Sequence, residues 1–410
     1  MISNRINKCR LCGNKELQDI LDLGNQPPAN ALRKDMNQVL ENVPLIICRC
    51  AKCSTIQLTE TVKPEYLFSS YVWGTGTSEG AREYCKIFAE RILSKISKQN
   101  ELFVVEIASN DGTFLKQFQE KGHKVLGIDP AKNLANDAKK NGIPTIPHFF
   151  SYNLSKQVTT EYGKADVVIA RNVIPHVPDP NDVVSGMVYC LNNNGVGAIE
   201  FHWIDKILSE LHYDSIYHEH FFYYSLHNIK DLLSHHNLTL FDVAESPISG
   251  GSLVAYFSKN NLNKTRELKA ILKWELDRGV SSLNTWQSFA EKSYEHRENL
   301  KLLIDSEISL GKTLIGYGAS ARSSTLLNFC EINNSHLVCI ADQNTLKHNR
   351  YAPGTNLLVL SPDEALKKNP NTVVILAWNF KDEIIYNLKE NGFSGNVIIP
   401  LPNEPCLLEI

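Results

Sequence analysis

The sequence predicts an α/β protein in three parts: a small cysteine-rich module followed by two doubly wound, Rossmann-like units. Three observations carry that expectation. Two CxxC pairs fall within the first 53 residues. A strand, a turn, a helix and a second strand ending in an acid follow one another from Leu102 to Asp129. The same succession begins again at Leu314 and reaches Asp342. At 410 residues the chain is longer than one hydrophobic core usually organises, which agrees with more than one domain.

Composition narrows the class. With 43% apolar and 21% charged residues the chain reads as a soluble globular protein. A formal charge of −3 argues against a nucleic-acid or acidic-lipid partner. No apolar run reaches membrane-spanning length, and MISNRINKCR lacks the apolar core of a secretion signal. The expectation is a cytoplasmic protein. Without coiled-coil heptads and with near-neutral charge, a monomer is expected as well.

Five of the ten cysteines gather near the N-terminus: Cys9, Cys12, Cys48, Cys50 and Cys53. In a chain without a secretion signal such a cluster points to metal rather than disulfides. Cys9-Arg-Leu-Cys12 and Cys50-Ala-Lys-Cys53 are turns that bring two thiolates each onto one tetrahedral ion. Four thiolates leave no open coordination position, so the zinc they imply is structural. Cys48 is an alternative to Cys50, without the usual spacing to Cys53. The competing reading is a set of free thiols, or a thiol–disulfide pair. Residues 1–68 then form a small metal-stapled domain.

The second part, residues 69–258, opens with helical periodicity over 81–99. A buried-strand pattern over Leu102–Ala108 leads into Ser109-Asn-Asp-Gly112, a helix over Thr113–Lys121 and a strand over Lys124–Ile128 that ends at Asp129. In such a unit the turn approaches the ligand, and the acid accepts hydrogen bonds from ribose hydroxyls. The turn is not GxGxxG. It has one glycine and an acidic side chain, which repels a pyrophosphate but suits the sulfonium and ammonium of S-adenosylmethionine. Further strands are expected over Ala165–Ala170 and Val196–Trp203. Their C-terminal ends place Asn172, His176, Glu200 and His202 near a shared site.

The densest chemistry lies in Tyr213-Asp-Ser-Ile-Tyr217-His218-Glu219-His220-Phe-Phe-Tyr223-Tyr224, with two histidines, two carboxylates and four tyrosines. Burying them without partners is costly, so they are solvated or form a network. The histidines stand at i and i+2, unlike the HExxH zinc motif. A histidine beside a carboxylate is the usual equipment of a proton acceptor near pH 7. A structural hydrogen-bond network is the competing reading.

The third part, residues 259–410, begins with one or two long charged helices over 261–310. Gly316-Tyr-Gly318-Ala-Ser-Ala321 then forms a strand-to-helix turn that either cradles a phosphate or packs closely. Strands follow over Leu337–Ala341, Val373–Trp378 and Asn396–Ile399. Lys347, His348 and Arg350 either neutralise phosphates or form a solvated run. Ser249-Gly-Gly-Ser252 reads as a hairpin turn.

The order CxxC…CxxC, ExxSNDG, GIDPA, NVxxH, IEFHW, YDxIYHEHxxYxSL, GYGASA, Asp342 and PGT resembles the zinc-containing sugar C-methyltransferases of branched-deoxysugar pathways over nearly the whole chain. The resemblance implies a zinc domain, a central class I methyltransferase domain and a C-terminal Rossmann-like domain that helps bind a nucleotide-linked sugar. By it, Glu106, Ala108, Asn110, Gly112, Asp129, Pro130 and Asn172 line the S-adenosylmethionine site. The reacting group is His220, with Tyr217, Glu219 and His176 beside it and Tyr71 reaching in from after the zinc domain. The sequence departs from the family over Tyr71-Val-Trp73-Gly-Thr-Gly-Thr-Ser78, where relatives often carry a second tyrosine and paired serines. The implied reaction is C-methylation at C3 of a 4-keto-deoxysugar. His220 removes the C3 proton with Glu219 orienting its ring, and His176 or Tyr217 donates to the enolate oxygen. Three rivals stay open: an NAD(P)-dependent sugar-nucleotide oxidoreductase or epimerase, which would use GYGASA but lacks a placed YxxxK pair; O- or N-methylation on the same fold; and a binding module without chemistry.

Overall fold

The computed structural model describes residues 2–68, 74–77, 79–97 and 100–410. Tyr71, Trp73 and Ser78 lie outside them. Strand pairing resolves four sheets.

The N-terminal module is a four-stranded antiparallel sheet of Leu17–Gln26, Val43–Cys50, Ile56–Leu58 and, from far along the chain, Phe222–Tyr223. Val43, Leu45 and Ile47 alternate inward along its longest internal pairing, the period-2 pattern of a half-buried strand. Ser3–Arg5 pairs with Glu60–Val62 in a small second sheet.

The central sheet has seven strands in the order Thr239–Ser246, Ser252–Ser258, Leu191–His202, Ala165–Arg171, Phe103–Ile107, Lys124–Ile128 and Thr145–Ile146. The last five are parallel and the first two form an antiparallel hairpin. Phe103–Ile107 is buried along its whole length, as a parallel strand covered on both faces must be. The helix read over 81–99 runs Glu79–Leu93. The strand read from Val196 starts at Leu191, because helix Pro180–Cys190 runs directly into it and a register shift between Leu191 and Val196 absorbs the join. Ser249-Gly-Gly-Ser252 is a hairpin connection, with Ser249, Gly250 and Gly251 all at positive φ.

The C-terminal part begins with helices Arg266–Asp277 and Leu283–Ser309. Its sheet runs Arg350–Tyr351, Leu358–Leu360, Ile340–Ala341, Leu314–Tyr317, Thr372–Ile375, Asn396–Ile399 and Cys406–Glu409. The inner five strands are parallel and both edges antiparallel. Two expected strands are shorter than read: only Ile340–Ala341 pairs of 337–341, and Trp378 starts a 3-10 turn instead of ending a strand. Among the described residues no helix is long and apolar enough to cross a membrane.

Candidate active site

The four sulfurs of Cys9, Cys12, Cys50 and Cys53 lie within 4.8 Å of one another. Cys9 and Cys53 are 3.6 Å apart, as are Cys12 and Cys50. Tetrahedral zinc with ~2.3 Å bonds to sulfur sets S···S edges of ~3.8 Å, so the four residues fit that ion closely. Gln57 Nε2 donates to Cys9 Sγ at 3.1 Å and Asn14 Nδ2 to Cys50 Sγ at 3.7 Å, as outer partners of metal-bound thiolates do. Cys48 stands outside the group, paired across the sheet with Gln57, and burial pushes its thiol up to about 12. Cys50, not Cys48, completes the four-sulfur group that would hold the ion.

At the ends of the central strands, Ala108, Asn110 and Asn172 all hold positive φ, at 53°, 54° and 48°. Non-glycine residues adopt this conformation sparingly, and such residues cluster at ligand sites. Gly112, at φ 80°, begins helix Thr113–Glu120, and a Cβ there would stand 2.9 Å from Ile143 Cγ1. Asp129 accepts from the amides of Asn110 and Ala131, both at 2.8 Å, which fixes the loop around it. Pro130, half-buried, continues the chain from Asp129. Asp111 and Asn110 accept from the amides of Gly76 and Thr75, so that short segment lies across the loop. A cleft of about 600 Å³ reaches this loop only at Asp111–Thr113 and extends outward past Arg82, Cys85 and Lys116.

Beneath the crevice is a buried charge group that sequence reading missed. Arg171 Nε donates to Glu200 Oε2 at 2.9 Å, its Nη1 reaches Glu106 Oε1 at 3.5 Å, and its guanidinium stacks 3.1 Å from the Phe114 ring centroid. Burial pushes the Glu106 carboxyl up to about 8 against the pull of Arg171, and its Oε2 has no hydrogen-bond partner among the described residues. The available signal was an arginine closing the apolar strand ADVVIAR, alongside glutamates inside two neighbouring apolar strands.

The cluster at 213–224 is buried and mostly partnered. His220 Nδ1 lies 2.8 Å from the Ser215 carbonyl, to which it can only donate. Its Nε2 is then the unprotonated nitrogen and accepts from Tyr217 Oη at 2.8 Å. His176 packs edge-on against the His220 ring at 4.7 Å and hydrogen-bonds the Glu219 backbone, while its Nδ1 is buried and has no partner among the described residues. Burial holds His176 down to about 4 and His220 well below the ordinary histidine value, so both rings are neutral at pH 7. Burial likewise raises the Tyr217 phenol.

One expectation is corrected here. Glu219 does not orient the His220 ring, because Ser215 and Tyr217 occupy both ring nitrogens; its Oε1 instead accepts from Asn30 Nδ2 at 2.6 Å. His218 is structural, bonded through Nε2 to the Val43 carbonyl at 3.1 Å. Asp214 holds Arg322 and accepts from Trp378 Nε1. The four residues expected at one site divide: Glu200 and Asn172 lie by Arg171, His176 by His220, and His202 by His212, with 3.4 Å between ring nitrogens.

The family match is decisive at this point. The C-methyltransferase NovU of Streptomyces niveus is 30% identical over 410 residues, covering 98% of this chain and 97% of NovU. The chain belongs to the zinc-containing C-methyltransferases. Three families agree along its length: a zinc binding domain over 9–68, a methyltransferase domain over 78–243 and a C-methyltransferase C-terminal domain over 247–402. Among solved structures, magnesium protoporphyrin IX methyltransferase (ChlM) from Synechocystis PCC 6803 with bound SAM is 12% identical, covering 44% of this chain and 80% of that one at TM-score 0.35. The plantazolicin methyltransferase BpumL in complex with SAH is 16% identical, covering 43% and 82% at TM-score 0.35. The assignment rests on NovU and the three domain families. Membership sets aside the oxidoreductase and the binding module.

In this C-methyltransferase the GYGASA turn is held by packing. A Cβ on Gly318, at φ 100°, would stand 2.4 Å from Ala377 Cβ, and one on Gly316 2.7 Å from Leu376 Cδ1. Ser320 and Ser323 form a capping box for helix Ala321–Phe329. Lys347 is paired with Asp342 at 3.1 Å, and His348 bonds the Asp342 carbonyl at 2.7 Å, so both are engaged within their own loop.

Proposed function

We propose that this C-methyltransferase moves a methyl group from S-adenosylmethionine to C3 of a nucleotide-linked 4-keto-deoxysugar, by way of an enolate formed at the Tyr217–His220 pair. The observation that carries the reading is the fixed tautomer of His220: with Nδ1–H committed to Ser215, Nε2 is a neutral, partly buried base.

Glu106, Ala108, Asn110, Gly112, Asp129, Pro130 and Asn172 are the residues that would hold the methyl donor. They suit it because the loop offers carboxylates and no phosphate cradle, and because Glu106 keeps a buried oxygen without a partner. Once bound, the donor supplies an electrophilic methyl on sulfur. The residues do the rest. His220 Nε2 takes the C3 proton, directly or through the Tyr217 hydroxyl it accepts from. His176 donates its one ring proton to the Glu219 backbone and keeps an unprotonated Nδ1, so of the two candidate donors to the developing enolate oxygen the Tyr217 hydroxyl is the one proposed. Glu219, held by Asn30, shapes the pocket. Tyr71 is proposed to reach the same site. The proposed division is 1–68, 69–258 and 259–410, with the last part contributing to the nucleotide.

NovU's similarity along the whole chain supports the C-methyl outcome. The test is incubation of the protein with S-adenosylmethionine and a panel of nucleotide-linked 4-keto-6-deoxyhexoses, followed by mass spectrometry. A gain of one methyl on one of them is expected. Gain only on sugars lacking the keto group would rule out an enolate.

A further inference from the structure

The residues flanking His220, from His218 to Tyr223, are fastened to the cysteine module. His218 bonds the Val43 carbonyl, Glu219 is held by Asn30, and Leu58 N donates to the Phe221 carbonyl at 3.0 Å. Phe222 and Tyr223 pair antiparallel with Gln57 and Ile56. The segment is thus held by a module built around the four-cysteine site.

Arg10, between Cys9 and Cys12, joins the two. Its Nη1 donates to the Leu58 carbonyl at 2.5 Å, and its Nη2 to the Glu60 carbonyl at 2.8 Å and Thr61 Oγ1 at 2.7 Å. The same guanidinium lies 5.4 Å from the Phe221 ring centroid and 5.9 Å from that of Phe222. Its backbone amide donates to Gln57 Oε1 at 3.1 Å, and Gln57 Nε2 in turn donates to Cys9 Sγ at 3.1 Å. Among the described residues Arg10 forms no ion pair with a carboxylate. A rigid fork of donors spent on two carbonyls, a hydroxyl and two aromatic faces is a cross-brace rather than a charge partner.

We infer that Arg10 is a positioning residue that transmits the order of the four-cysteine metal centre to the Tyr217–His220 pair, so that metal occupancy governs the geometry of the base without joining the chemistry. Its catalytic consequence rests on the reading of His220 as the base; the mechanical coupling does not.

The test is hydrogen exchange on the full-length protein, as purified with zinc, after chelation, and as the Arg10→Met and Arg10→Lys variants. Chelation is expected to speed exchange of the 218–223 amides by about tenfold or more, while Phe103–Ile107 stays protected. Arg10→Met is expected to do the same with one zinc still bound per chain, lowering kcat and leaving the KM for S-adenosylmethionine unchanged. Arg10→Lys, which keeps the cation over the rings, is expected to recover part of the protection. Unchanged protection of 218–223 after chelation overturns the coupling. So does Arg10→Met exposing Phe103–Ile107 equally, since Arg10 would then serve only overall stability. If 218–223 loses protection while turnover is unaffected, the coupling stands and the assignment of His220 as base falls.

Discussion

His220 donates from Nδ1 to Ser215, which leaves Nε2 as the basic nitrogen. Replacing His220 by Asn keeps a donor in reach of the carbonyl but removes the basic nitrogen. The expected loss in kcat is roughly 10²–10⁴-fold, measured in steady state. Glu219→Gln keeps a carbonyl oxygen for Asn30 and touches neither ring nitrogen, so its loss is expected to be far smaller. A Glu219→Gln loss equal to that of His220→Asn would restore Glu219 as a partner of the base. Arg171 gives a stability prediction. Arg171→Met leaves Glu200 buried without its cation, while Glu106, pushed up to about 8, is already largely protonated at pH 7; a cost of roughly 3–5 kcal/mol in denaturant unfolding is expected. A cost near zero would contradict a buried Arg171–Glu200 ion pair.

Among the elements, pattern and spacing found what depends on local sequence. The strand Lys124–Ile128 has the bounds read from its apolar run, and the four-cysteine set follows from CxxC spacing. The spacing already favours Cys50 over Cys48, and the fold agrees, with Cys48 paired across the sheet with Gln57 outside the sulfur group. Phe222–Tyr223 could not be found from sequence. A two-residue strand has no period, and its partner Ile56–Leu58 lies far away in the chain. For the same reason the orientation of Glu219 was misread: its neighbour in sequence is His220, but its partner in space is Asn30. Gly112 belongs to this scale as well. Gly112→Ala requires an alanine at φ 80° with its Cβ 2.9 Å from Ile143, so a loss of roughly 1–3 kcal/mol and weaker S-adenosylmethionine binding are expected by thermal shift with and without the ligand.

Across the whole molecule, the segment 213–224 is where the three parts meet. Tyr213 Oη bonds His296 at 2.9 Å and Thr325 Oγ1 donates to the Ile216 carbonyl at 2.8 Å, both in the C-terminal part. His218 through Tyr223 join the metal module. The Tyr217–His220 pair thus sits between two anchors, one in the C-terminal part and one in the metal module. The histidines that line this junction titrate together in effect. Burial lowers His176 and His218 to about 4, and His202, His212, His220 and His296 also fall below 6.5. A histidine with a depressed folded value binds its proton more readily unfolded, so stability rises with pH across that interval. Stability is expected to be full above about pH 6.5 and to fall as pH drops from there toward 4, seen as a declining denaturation midpoint. Constant stability between those limits would contradict buried, neutral rings.

The central claim is methyl transfer to carbon by a base at His220. The most direct measurement is carbon NMR of the product formed from S-adenosylmethionine labelled with carbon-13 in its methyl group, with wild type and His220→Asn side by side. The account predicts a methyl signal coupled to the sugar's C3 in the wild-type reaction and its near-disappearance in the variant. A methyl bound to oxygen or nitrogen, or an undiminished signal from His220→Asn, would contradict it.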